Sequence, residues 1–311
     1  MDSTENRRTF LKKSALGGAA VAFGGLPAVS FPLAKPIIAC QHYTWFSFLR
    51  REEISWDADI ERSLELFLQS GLRVYEPSFK EAGQVGALQK KLGEKGIGVK
   101  SMYVNSILHE QDEVEKSIPN VIAIAREAKA MGVEIVVTNP SPIKWGDPED
   151  KNDDQLKTQA RALDKMGSEL KKLDLKLAYH NHDMEMRHSA REFHHMMLNT
   201  DPDNVYLCLD AHWIYRGAGN SSLALFDILK LYVNRVVEVH IRQSDKGIWS
   251  EVFGEGDIDY SRLVEELVKN KRNPHLVLEQ AAEKGTPKTM SSVEAIGKSL
   301  DNAENVFKEI R

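Results

Sequence analysis

Cysteine is nearly missing. Cys40 and Cys208 are the only two in 311 residues, too few for a disulfide framework. Positive charge is not in excess, with 41 Lys and Arg against 46 Asp and Glu and a formal net charge of −5. A surface built to neutralise phosphate backbones is normally basic, so no nucleic-acid partner is expected. No Gly-x-Gly-x-x-Gly follows a strand-like run and no Walker-type loop occurs, which removes the common nucleotide cradles. A long hydrophobic run is also missing. The stretch from Ser14 to Phe31 is rich in Gly and Ala and falls short of the ~20 apolar residues a membrane span needs. No linker or low-complexity segment interrupts the rest, so one catalytic domain is the simplest division. What remains is an ordinary globular composition, 42% hydrophobic and 28% charged, which excludes wholesale disorder, collagen and coiled coil.

The N-terminus has a different character. Residues 6–12 read Asn-Arg-Arg-Thr-Phe-Leu-Lys, and the weakly apolar run with Pro27 follows. This order resembles a bacterial twin-arginine export signal, against the plainer alternative of a tail with a chance arginine pair. The expected division is a signal peptide over 1–34 and a catalytic domain over 35–311, with a periplasmic location. No stable membrane insertion is expected after removal of the signal. Residues 1–34 hold four basic and two acidic residues, so the mature chain would carry 37 and 44, a charge of −7. Ile37 to Cys40 loosely resembles a lipoprotein box, but Lys35 and Pro36 interrupt the run before it, and a first strand is the better reading.

From about residue 36 the chain alternates short β-rich runs with amphipathic stretches. Strands are expected at Ile37–Tyr43, Leu72–Glu76, Val99–Val104, Val133–Thr138, Leu175–His180, Val205–Asp210, Val236–Ile241 and Leu276–Glu279. Helix-length segments lie near 57–70, 84–95, 113–131, 152–173, 189–198, 222–232, 259–271 and 291–309. In 152–173, Leu156, Ala160, Leu163, Met166, Gly167 and Leu170 fall on one face at the helical period. Asp57 and Asp153 can cap the helices they open. Eight strand–helix units in about 275 residues match an α/β fold of the (β/α)8 TIM-barrel kind.

In such a barrel, catalytic side chains come from the carboxyl ends of the strands. Here the second strand ends in Glu76, the fourth runs into Thr138-Asn139-Pro140, and the fifth into His180-Asn181-His182-Asp183-Met184-Glu185. The sixth ends Asp210-Ala211-His212-Trp213, the seventh carries His240 and Arg242, and the eighth ends in Glu279. One His or Asp at a strand end is usually a loop hydrogen bonder. Four successive apolar strands closing in metal-capable side chains have no packing rationale. Together they suit one divalent metal, Mn, Zn, Co or Fe, better than Ca.

The mature chain resembles the xylose-isomerase-like barrels, which include sugar isomerases and epimerases, inosose dehydratases and the endonuclease IV group. The segments that carry the likeness are Ala178–Glu185, Cys208–Trp213, Val239–Arg242 and Phe253–Tyr260. The last of these is similar to the Gly-x-Gly-x-Ile-Asp segment leading into the seventh helix of those barrels. The resemblance implies a single-metal site with a ligand from each of the last four strands, commonly Glu, Asp, His and Glu. Asp210, His240 and Glu279 match three of these. His180 stands where many epimerases have Glu, so the fifth-strand ligand is His180, or His182 or Glu185 supplies it. Losing one of the paired glutamates lowers the epimerase reading and raises the lyase or hydratase ones.

A bound dication polarises a carbonyl or hydroxyl oxygen and stabilises an enediolate, and a nearby carboxylate or imidazole removes the activated proton. Glu279 is the first choice for that base, with His182 and Glu185 as alternatives. Glu76, His212, Trp213 and Arg242 are expected to hold the substrate. Against this stand a structural salt bridge for Arg242 and an apolar plug for Trp213. Arg216 and Trp249 are expected near the mouth, and His42, Tyr43 and Trp45 as an aromatic wall. His194-His195 is expected to pack or face solvent. The expected partner is a small sugar, polyol or glycoside, and a homo-oligomer is compatible with the sequence. The expected function is an exported, metal-dependent sugar isomerase or epimerase. A lyase or hydratase on keto-sugars or 3-keto-glycosides is the nearest alternative, and a non-catalytic carbohydrate-binding barrel is the alternative of another class.

Overall fold

The β-rich runs become eight parallel strands: β1 (Ile38–Gln41), β2 (Val74–Glu76), β3 (Ser101–Tyr103), β4 (Ile135–Thr138), β5 (Lys176–His180), β6 (Val205–Asp210), β7 (Val236–Ile241) and, after a small hairpin of β8 (Ser244–Asp245) and β9 (Ile248–Trp249), β10 (His275–Leu278). The computed structural model describes residues 36–310, so the expected export signal lies outside the described residues. The strands hydrogen-bond in the order β2-β1-β10-β7-β6-β5-β4-β3. Between β2 and β3 the ladder thins to the isolated bridges Val74–Gly98 and Ser78–Tyr103. There the Tyr75 N–H donates to the Gly98 carbonyl at 2.9 Å and the Phe79 N–H to the Tyr103 carbonyl at 3.0 Å. The result is a nearly closed TIM barrel, as the β/α rhythm predicts.

The helices are α1 (His42–Arg50), α2 (Ile60–Gln69), α3 (Gly83–Glu94), α4 (Gln111–Ala128), α5 (Asp153–Lys171), α6 (Arg187–Leu198), α7 (Ala211–Gly217), α8 (Ser222–Tyr232), α9 (Tyr260–Lys269) and α10 (Ser292–Val306). Three details differ from the sequence expectation. Strand β1 stops at Gln41, because the Gln41 side chain caps α1 by accepting from the Tyr43 N–H; His42 and Tyr43 therefore open a helix. The caps of α2 and α5 are Asp59, two residues after Asp57, and Asn152, one residue before Asp153, and Asn152 forms a capping box with Gln155. Helix α7 and the β8–β9 hairpin are additional elements, both short enough to hide inside loop-like sequence. No helix among the described residues is long and apolar enough to cross a membrane.

The core divides into an outer and an inner part. Most apolar side chains pack between the strands and the surrounding helices. The barrel interior has its own small cluster of Tyr103, Ile135, Val137, Ala178 and Cys208. Alternation along the strands sets Glu76, His180, Asp210, Glu238 and His240 among them, all fully buried. Interior layers of such a barrel are normally filled by branched aliphatics. Five of the residues named here carry a carboxylate or an imidazole instead.

The predicted apolar face of α5 is buried in full, from Leu156 to Leu170. Gly167 lies on it because a Cβ there would sit 2.2 Å from the Asn204 carbonyl oxygen, in the turn leading into β6. Backbone cannot yield as a flexible side chain would. Gly167→Ala is therefore expected to lower the unfolding free energy by about 1–3 kcal/mol through overpacking, measured by urea denaturation of the chain from residue 35. An unchanged midpoint would show that α5 can slide away from this turn.

Candidate active site

The parallel register brings the strand ends to one level. Cys208 pairs with His180 and with Glu238, and Asp210 with His240. Four side chains then converge: His180, Asp210, His240 and Glu279 have ligand atoms within 4.8 Å of one another, and all are buried. His180 Nε2 lies 3.6 Å from Asp210 Oδ2. His240 Nδ1 lies 3.3 Å from Glu279 Oε2. Both ring nitrogens of His180 and the Asp210 Oδ2 oxygen have no hydrogen-bond partner. Buried polar atoms are rarely left so. Two carboxylates and two imidazoles with orphaned lone pairs, closed round one point, fit a divalent metal of the Zn, Mn, Co or Fe kind. Asp210 also caps α7, accepting from the Trp213 N–H at 2.8 Å with its other oxygen, which fixes the orientation of Oδ2.

Arg242 closes one side of this group. Its Nη2 lies 2.6 Å from Glu279 Oε2 and 4.0 Å from Asp210 Oδ2, and its Nε donates to the Glu279 carbonyl at 2.9 Å. Burial would raise the Glu279 carboxyl, but Arg242 and His240 beside it hold it well below the usual carboxylate range. The guanidinium lies against two indoles, 4.3 Å from the Trp249 ring centre and 5.0 Å from that of Trp213. Its Nη1 has no partner.

Above the group is a cavity of about 490 Å³, bordered by Tyr43, Tyr103, Trp145, His182, Trp213, Arg242, Trp249 and Glu279, among others. His182 packs against His180 and Trp213, with ring centres 4.8 and 5.5 Å away, and its Nδ1 has no partner. Burial and the neighbouring His180 push its pKa well below the ordinary value, so the ring is neutral at physiological pH.

The other expected residues are sorted by the fold. Glu185, an alternative for the base and the fifth-strand ligand, is buried, accepting from Asn139 Nδ2 at 3.0 Å and from the His182 N–H at 2.7 Å. Burial and the charge of Glu192 raise it to about 7. It holds the loop that carries His182 and does not border the cavity. Glu76, expected to reach the substrate, lies instead in the barrel core behind His240, with Oε2 3.3 Å from Nε2 and Oε1 accepting from Ser101 at 2.9 Å. Burial and Glu238 beside it raise Glu76 to about 7. His212 is buried with both ring nitrogens unpartnered and lies against Trp213, Tyr215 and Trp249. Burial and Arg242 lower it to about 3. Tyr43 and His42 border the cavity, but Trp45 is turned into the outer core. Arg216 is tied down by Glu283 at 3.0 and 2.7 Å. His194 packs, with Nδ1 2.7 Å from the Tyr232 hydroxyl.

Residues 62–303 match the family model for the xylose isomerase-like TIM barrel. The chain belongs to the xylose isomerase-like TIM barrel family. A curated relative, the inosose dehydratase of Clostridium perfringens, is 26% identical over 250 residues, covering 70% of this chain and 81% of the relative. Among solved structures, 3-keto-D-glucoside 4-epimerase from E. coli superposes with a TM-score of 0.65 at 14% identity, over 86% of this chain and 98% of that one. The zinc-bound IolI protein superposes with a TM-score of 0.63 at 15% identity, over 89% and 99%. These likenesses show the fold. Within that fold this member places His180 at the end of the fifth strand, and among the described residues Glu279 is the one carboxylate that belongs to the ligand cluster and borders the cavity.

Sequence reasoning missed Glu238, which lies inside β7 and touches His240. Its distance of two residues from His240 was the available signal, since strand alternation aims both to the same side. The Arg242–Glu279 pair gives a test of the electrostatics. A carboxyl held below its unfolded value near 4.5 adds stability above that pH and loses it as pH falls through the folded value. Arg242→Met leaves Glu279 buried without its cation, so it is expected to cost about 3 kcal/mol at pH 7. The gap should narrow on acidification. Equal stability of the two proteins across pH 3 to 7, read from denaturation midpoints, would overturn this account.

Proposed function

We propose that this protein is an exported, metal-dependent lyase that eliminates water or an alcohol from a keto-sugar, keto-polyol or 3-keto-glycoside. The observation that carries the reading is the inequality of the two groups facing the cavity beside the ligand cluster. Glu279 is clamped by Arg242 and held ionised, whereas His182 is neutral with a free ring nitrogen. A carboxylate tied into a short ion pair is a poor base. A neutral imidazole with a free ring nitrogen is available to accept a proton. Glu279 therefore serves better as a ligand, and the base role passes to His182.

The metal would be held by His180, Asp210, His240 and Glu279, and would supply the Lewis acidity that polarises a substrate carbonyl. The chain's own residues do the rest. His182 removes the proton from the carbon beside the carbonyl. The C–O bond at the next carbon breaks as the new C=C bond forms. His182 then returns its proton to the departing oxygen, leaving an enone and water or an alcohol. One residue holds the proton throughout, which suits elimination and does not require the paired carboxylates of a two-base epimerase. Arg242 Nη1, buried and unpartnered, is placed to donate to a substrate oxygen. Trp213, Trp249 and Tyr43 border the cavity and would stack on the ring and displace water. A dehydratase acting on a keto-polyol is the named activity of the curated relative, which supports the choice of elimination over isomerisation.

Elemental analysis of the chain from residue 35 should find about one equivalent of Zn, Mn, Co or Fe, lost in Asp210→Ala and in His240→Ala. No metal after reconstitution with any of the four would end the metalloenzyme reading and leave a carbohydrate-binding barrel. With metal bound, incubation with inosose, keto-sugars and 3-keto-glycosides should give a product lighter by water or an alcohol in mass spectrometry. His182→Asn should keep its metal and lose about 10²- to 10⁴-fold in turnover. Product of unchanged mass would mark an isomerase or epimerase. Export rests on Arg7 and Arg8. Changing both to Lys should hold the precursor in the cytoplasm on cell fractionation, and undiminished periplasmic protein would refute it.

A further inference from the structure

His240 is the one member of the ligand cluster whose two ring nitrogens face two different environments. Nδ1 points to the site, 3.3 Å from Glu279. Nε2 points into the barrel core, 3.1 Å from Glu238 Oε1 and 3.3 Å from Glu76 Oε2. Both carboxylates are fully buried in a layer where such barrels normally place branched aliphatics. They are costly there, and packing gives no reason for them. Glu76 is pinned by the Ser101 hydroxyl. Glu238 is pinned by the Cys208 thiol at 3.5 Å. Its position two residues before His240 on β7 puts it directly behind the ring.

An imidazole that ligates a metal through one nitrogen carries its proton on the other, and a hydrogen-bond acceptor behind the ring decides which. A carboxylate accepts and cannot donate. We propose that Glu238 is the positioning residue of the metal centre: it accepts the His240 Nε2–H, so that the Nδ1 lone pair is presented to the metal, and Glu76 on the other side of the same N–H keeps the ring from turning over. The two carboxylates also place negative charge behind the ring, which strengthens it as a donor to a dication. The inference rests on the metal reading above and adds a residue to it that makes no contact with substrate or with the other three ligands.

The test uses zinc alone, on the chain from residue 35, with Glu238→Leu and Glu238→Gln beside the wild type. Zinc affinity is read by chelator competition, and the His240 tautomer by nitrogen NMR of protein labelled in histidine. Glu238→Leu removes the acceptor and should weaken zinc about 10- to 100-fold. Glu238→Gln keeps a carbonyl oxygen at the same place and should restore most of that loss. In the zinc-loaded wild type, His240 should be protonated at Nε2 and ligating through Nδ1. A general loss of packing would weaken both variants alike and would not be rescued by Gln, which would overturn the positioning role. So would Glu238→Leu binding zinc as tightly as the wild type. If Glu238→Leu does not fold, the wild-type tautomer decides alone: coordination through Nε2 refutes the proposal. If the wild type takes up no metal at all, the metal reading fails first. Metal binding with the wrong nitrogen, or without dependence on Glu238, defeats only this inference.

Discussion

Inside the barrel the ionisable groups are buried and take one another as partners. Glu76, Glu238, His240, Glu279, Arg242, Asp210 and His180 form one chain of contacts through the strand ends. Each charge is tolerated because an opposite one lies within reach, and removing any member strands its neighbour. This mutual dependence holds the strand ends in register more strictly than apolar packing would, since imidazole and carboxylate need a partner at a set distance and direction. Three of the unpartnered atoms lie on His180 and Asp210, members of the ligand cluster.

The wall above this chain is built from the same economy of cations and rings. Arg242 lies against both Trp213 and Trp249, while Arg216 lies 4.9 Å from the Trp249 ring centre and is held by Glu283. Glu283 in turn accepts from the Trp249 N–H at 2.8 Å. The short β8–β9 hairpin is thereby fastened over the site, and Trp249 is delivered to it. A cavity walled by indoles and floored by a guanidinium and a carboxylate matches a ligand with an apolar face and polar edges, which is the character of a sugar ring. The loop after β5 is fastened separately, through Glu185 to Asn139 and the His182 backbone. The hairpin and the loop after β5 thus bring Trp249 and His182 to Trp213 of α7 above the strand ends.

Much of this was legible in the chain. The β/α rhythm gave the barrel, and Val205–Asp210 and Val236–Ile241 coincide with β6 and β7 residue for residue. Those strands are buried on both faces and bounded by sharp turns, so composition marks their limits. The ends of β1 and β2 were less legible. Gln41 turns the chain by capping α1, and a capping amide has no signature that separates it from a strand residue. The rule that chemistry sits at strand ends located His180, Asp210, His240 and Glu279, which the fold brings within one small volume. It misjudged Glu76, because being at a strand end does not say which neighbour a side chain meets, and Glu76 is taken up by Ser101 and the inner face of His240.

What the sequence determined by itself is periodic or local: the number of strand–helix units, the buried face of α5, and which residue types stand at the strand ends. These follow from side-chain alternation and helical pitch, which act over a few residues. What only the tertiary structure decided is pairwise and distant. Arg242 and Glu279 lie 37 residues apart and meet across β7 and β10; His240 and Glu76 belong to strands that do not touch in the sheet. The division of labour between a clamped carboxylate and a free imidazole, and the role of Glu238 behind its ring, depend on those meetings. An ionisable group takes its character from what is within a few ångströms, and only closure of the barrel sets that.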